Sequence, residues 1–122
     1  MIYLYIAIAG FVGAALRYVT GELFFRPEAV FPFATLTVNI LGTFLLAWFT
    51  FRALNLPGNI KKAIGTGLLG SFTTFSALSV ETVDLVETGN LLPAFLYISM
   101  TVAGGFAASV LGFRLGERGR KA

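Results

Sequence analysis

"GSFTTFS", Gly70 to Ser76, lies inside an apolar run long enough to cross a membrane. Glycine gives up the most backbone freedom in a helix. The short hydroxyls of serine and threonine compete with the helix for its own hydrogen bonds. In the middle of a span such a stretch is tolerated only where protein or a polar cavity satisfies the freed backbone groups. Unwound turns at that depth present carbonyl oxygens, and transporters hold cations on them. The reading of these seven residues therefore depends on what surrounds them.

The surroundings are those of a membrane protein. Of 122 residues, 57% are hydrophobic and 12% charged, against about a quarter charged in soluble domains. Mean hydropathy is +0.83. So little charge cannot cover a globule with polar surface, and lipid is the natural solvent. Working outward from the heptapeptide, four runs of about 20 residues emerge. They are roughly Ile2 to Leu23, Phe33 to Leu54, Ala63 to Val86 and Leu92 to Leu115. The connecting loops read "FRPEAVFP", with Pro27 and Pro32 as breakers, "NLPGNIKK", which turns the chain around, and "ETGN". Pro93 sits where a first helical turn accepts it. The tail "GERGRKA" reads as polar and frayed. The expectation is one all-α, integral membrane domain over residues 1–122, with four transmembrane helices per subunit. The first run lacks a basic leader and is not read as a cleaved signal.

Cysteine and histidine are absent. That removes disulfides, thiolate metal sites and the commonest general base, and it disfavours an enzyme. The net charge of +3 does not mark nucleic-acid binding, because the basic residues flank the spans. Arg52, Lys61, Lys62, Arg114, Arg118, Arg120 and Lys121 fall at one end of the bundle; Arg17 and Arg26 fall at the other, beside Glu22, Glu28, Asp84 and Glu87. That bias favours both termini on the cytoplasmic side.

Residues three or four apart share a helix face. Gly10, Gly13, Ala14 and Arg17 line one face of the first span, where small residues permit close helix approach. Arg17 either snorkels, makes a structural hydrogen bond or stands at a pore mouth. Thr35, Asn39, Gly42 and Thr43 share a face of the second span. The Asn39 amide must find partners in hydrocarbon, either on another helix or on a permeating anion. Tyr97 and Thr101 sit one turn apart on the fourth span, as a polar track or as interhelical glue. In the third span Phe72 and Phe75 flank the hydroxyl-rich break. An aromatic edge is electropositive, so it can face an anion without a formal charge that would trap it.

"GFVGAALRY" in the first span, "TVNILGTF" in the second and "GSFTTFS" in the third, in that order and across nearly the whole chain, resemble the small fluoride channels of the Fluc (CrcB) family. The resemblance implies an antiparallel, dual-topology homodimer in the plasma (inner) membrane, multi-pass, with the third helix broken near mid-membrane. It implies two fluoride pores per dimer. It also implies a central structural sodium ion (Na+) held by main-chain carbonyls, here those of Gly70 and Thr73. By motif position Asn39 matches the pore asparagine and Phe75 the first of two pore phenylalanines. Thr74, Ser76, Tyr97 and Thr101 supply nearby hydroxyls, and Glu81 lies by the vestibule. The family's Thr-Thr-Phe-Ser-Thr-Phe here reads "TTFSAL", so Leu78 takes the second phenylalanine position and has no ring edge to offer.

Passive export of fluoride is the function so implied. A small multidrug-type, proton-coupled exporter is the main alternative; it needs a carboxylate deep in the first span, where none precedes Glu22. A non-conducting structural subunit is the other alternative.

Overall fold

The structure, a computed structural model, describes residues 1–24, 30–52 and 55–121, the last two without their side-chain surroundings. Among these residues the chain is all helical, and four helices are long and apolar enough to cross a membrane. Arg26, Pro27, Glu28 and the end of the second expected span at Leu54 lie outside the described residues.

Helix α1 spans Ile2–Phe24 and α2 spans Phe33–Arg52. The only buried residue of α1 is Gly13, so much of its apolar surface is left uncovered by the rest of the subunit. The third span is assembled from pieces. A short helix, α3 (Gly58–Lys62), follows Pro57, whose fixed φ suits a helix start. The stretch read as a loop therefore already turns into the span. A π-helical segment, Ala63–Leu69, continues it. Helix α4 (Gly70–Phe72) is one turn, and α5 runs Phe75–Glu87. Helix α5 ends in a Schellman motif: Gly89 takes φ +81°, its N–H reaches Val86 O, and Asn90 N–H reaches Leu85 O at 2.8 Å.

Helix α6 runs Leu91–Lys121. The tail expected to fray is helical instead. No proline stops it, and Gly112 and Gly116 carry its last turns against the backbone of α2 at Phe44 and Trp48. Helix α2 packs most extensively on α6, and α1 packs on the π-helical segment. The second contact has no room for side chains. A Cβ on Gly13 would overlap the Leu68 carbonyl and Ser71 Oγ, and one on Gly67 would sit 2.7 Å from the Ile6 carbonyl. Ser71 Oγ closes the contact by donating to Gly10 O at 2.8 Å. A small core of Leu36, Leu85, Ala94 and Tyr97 joins α2, α5 and α6 at one end.

Candidate functional site

The site is built around two residues. Between α4 and α5 the backbone leaves helical conformation at Thr73 (φ −85°, ψ 159°) and Thr74 (φ −148°, ψ 124°). Hydrogen bonds that a continuous helix would make to itself must then be replaced. The replacements come from other helices and from local side chains. Asn39 of α2 clamps Thr74 twice: its Nδ2 donates to Thr74 O at 2.9 Å, and its Oδ1 accepts from Thr74 N at 2.8 Å. The amide thus mimics a strand neighbour. Of the two roles open to Asn39, the structure makes the interhelical hydrogen bond, and it leaves the second N–H of Nδ2 free among the described residues.

Thr74 also caps α5, its Oγ1 accepting from Ala77 N at 3.2 Å. The same hydroxyl lies 3.2 Å from Ser76 Oγ. From α1, Arg17 Nη1 donates to Thr73 O across 3.4 Å, a long contact. Behind the break, Gly42 of α2 gives space to the Thr73 methyl and the Phe72 ring. Phe72 is buried, whereas Phe75 is 78% exposed on the surface of the single subunit.

One helical turn from Asn39 on α2 stands Thr35. Its hydroxyl donates to Glu81 Oε1 at 2.6 Å, and Tyr97 Oη donates to Glu81 Oε2 at 3.2 Å. Tyr97 has no exposed surface, and its ring meets the edge of Phe31 at 5.7 Å between centroids. A carboxylate is therefore held at a fixed place by two neutral donors from two helices. Arg17, Thr35, Thr74, Ser76 and Glu81 line one open cavity of about 460 Å³. Charge of each sign thus borders that cavity, with no ion pair between Arg17 and Glu81 among the described residues.

The structure brings Arg17, Asn39, Thr73, Thr74, Ser76 and Glu81 to one neighbourhood, with Gly70 a turn before it and Phe75 beside it. Three expected residues stand apart. Tyr97 lies inside the subunit and approaches the cavity only through Glu81. Thr101 turns its hydroxyl onto Tyr97 O of its own helix at 2.7 Å. Leu78 packs against the core formed with Leu36, Leu85 and Tyr97. Thr35 is a site residue that the sequence placed on the Asn39 face without giving it a role. Its spacing of four from Asn39 was the available signal, but nothing in the sequence said that Glu81 lay opposite.

The comparisons with known proteins agree with one another. Residues 4–113 match the model of a family described as CrcB-like protein, Camphor Resistance (CrcB). A protein of Desulfitobacterium hafniense, named Fluoride-specific ion channel FluC 1, is 47% identical over 112 residues, covering 89% of this chain and 97% of the relative. A Bacillus anthracis protein of the same name is 46% identical over 121 residues, 96% of this chain and 88% of the relative. Fluoride-specific ion channel FluC 2 of Geobacillus kaustophilus is 44% identical over 126 aligned positions, 99% of this chain and 97% of the relative.

Proposed function

The chain belongs to the CrcB-like family, and from that premise we propose that it is a fluoride channel and not an enzyme, acting as an antiparallel, dual-topology homodimer in the plasma membrane with two pores per dimer. The observation that carries the fluoride assignment is the near-full-length identity to relatives named fluoride-specific ion channels. Two features of the site support it. The break supplies neutral donors in the Asn39 amide and the Thr74 and Ser76 hydroxyls, and the exposed Phe75 ring offers an electropositive edge to an anion.

In this reading the free N–H of Asn39, the hydroxyls of Thr74 and Ser76 and the Phe75 ring edge replace part of the water shell of fluoride. Asn39 does so while its other polar atoms hold Thr74 in place. Such donors stay weak enough to release the ion. Glu81, fixed by Thr35 and Tyr97, stands at the mouth of the path. The Leu78 position lies against the core, so a second ring edge is not supplied from that residue.

The break also fits a sodium ion in kind. Gly70 and Thr73 would offer hard carbonyl oxygens at an interrupted span, the donor type used for such ions, the Thr73 oxygen through the lone pair left beside its long contact from Arg17 Nη1. Gly70 is exposed, and its carbonyl takes a 3.5 Å contact from Thr73 Oγ1, at the outer limit of a hydrogen bond. Two oxygens are too few for a monovalent cation, so a second copy supplies the rest. Bound there, sodium would contribute a fixed positive charge.

Export needs no coupled energy source. A potential of about 100 mV, negative inside, is worth roughly 2.3 kcal/mol per charge. At about 1.4 kcal/mol per decade, it holds internal fluoride roughly fifty-fold below external. The test is release from fluoride-loaded vesicles carrying the purified chain, read with a fluoride electrode. Rapid release without a proton gradient is expected. Release only with a gradient assigns the protein to the proton-coupled exporters, and no release assigns it a structural role.

A further inference from the structure

We propose that the basic end of the bundle is a binding surface for anionic phospholipid headgroups, with Arg114 and Arg118 of α6 as its phosphate forks. Helix α6 has 31 residues, about 46 Å at 1.5 Å per residue. A hydrocarbon core is about 30 Å thick. The apolar run starts at Leu91, so about ten residues at the other end of α6 leave the core and pass through headgroup depth. Arg114 is the first charge met on that course, and Arg118 lies one turn beyond on the same face.

That face points away from the bundle. Gly112 and Gly116, roughly opposite it around the helix, are the residues that pack on α2. Both arginines are exposed. Neither they nor Arg52, Lys61 and Lys62 pair with a carboxylate among the described residues. Glu117, the only carboxylate in this part of the sequence, has a partner of its own. Arg52 extends the surface to α2, where its guanidinium lies over Gly119, a position open because glycine has no Cβ. An unpaired guanidinium at headgroup depth meets phosphate, and its planar fork matches two phosphate oxygens. Clusters of basic residues just beyond a span attract anionic lipid by about 1 kcal/mol each, a factor of about five. Lipid is the occupant because the depth of the two arginines places phosphodiesters of the bilayer beside them, before any soluble anion.

The test uses the full chain, solubilised from vesicles of phosphatidylcholine doped with phosphatidylglycerol, with co-purifying lipid measured by mass spectrometry. Wild type is expected to retain phosphatidylglycerol above its share of the vesicle. R114Q/R118Q is expected to lose about fivefold or more of that enrichment, with R114Q and R118Q each losing part. Melting temperature and helix content are read in parallel and are expected to hold. Replacing the acidic end, E22Q/D84N, is expected to leave the enrichment unchanged. No enrichment in wild type, equal enrichment in R114Q/R118Q, or an equal loss in E22Q/D84N overturns the proposal. The readout is lipid, so it stands whether or not the chain conducts fluoride.

Discussion

Asn39 is asked to do two things at once, and a carboxylate in its place separates them. In N39D the Oδ1 contact to Thr74 N survives, but the donor to Thr74 O becomes a negative charge facing a carbonyl. Fluoride release is expected to fall by an order of magnitude or more, with about 1–3 kcal/mol of stability lost, read by electrode and by thermal melting. Full flux in N39D removes the amide from the path. Tyr97 offers the opposite case. Y97F keeps the ring that fills the core and removes one donor from Glu81, leaving Thr35. A hydrogen bond to a charged group is worth about 1.5–3 kcal/mol, so melting should shift accordingly, while E81Q, whose one oxygen accepts from one hydroxyl and whose NH2 can donate to the other, should shift it less. These residues also show what could be read from the chain alone. Asn39 was recognisable as an amide within a span that needs partners. That both its poles meet Thr74 was not, since the pairing joins residues 35 positions apart. Tyr97 and Thr101 were rightly put on one face, but periodicity does not say which neighbour a face meets. Tyr97 meets Glu81, and Thr101 meets its own helix.

At the scale of elements, close contact of α1 with the π-helical segment is set by absent side chains. Gly13→Ala drives a methyl into the Leu68 carbonyl and Ser71 Oγ, and overpacking of this kind costs about 1–3 kcal/mol. Gly105→Ala is the matched control. Nothing lies within 4 Å of its Cβ position, and alanine is the better helix former by about 0.8–1.0 kcal/mol. Melting of the two variants in one detergent should therefore move in opposite directions; a shared direction would show that helix propensity, not packing, governs this bundle. Element boundaries follow the same physics. Hydropathy located α1 and α2 to within two residues at their described ends, because apolar runs and their flanks are chemically abrupt. It missed the helical start at Gly58, where Pro57 and Gly58 read as a turn, and the helical tail, where charge read as fraying. At the tail a neighbouring helix surface decides the outcome, and composition does not report it; at Gly58 the preceding proline opens a helix.

For the whole molecule the open physical problem is orientation. Seven basic residues stand at the end that carries both termini, and two at the other. Such a bias favours termini inside, yet the antiparallel dimer proposed here needs copies of both orientations. The chain has no cysteine, so a single T88C variant reports the exposed turn after α5 without interference. An impermeant maleimide on intact cells labels copies with termini inside; further labelling after permeabilisation counts the inverted ones. Both populations are expected, with termini-inside the larger, and R114Q/R118Q should bring the ratio nearer to even by removing two of the seven charges. Labelling from one side alone would exclude an antiparallel pairing of this chain with itself. The exposed Phe75 and Gly70 surface would then have to be covered by a different partner of opposite orientation, and the fluoride path would contain residues that this chain does not carry.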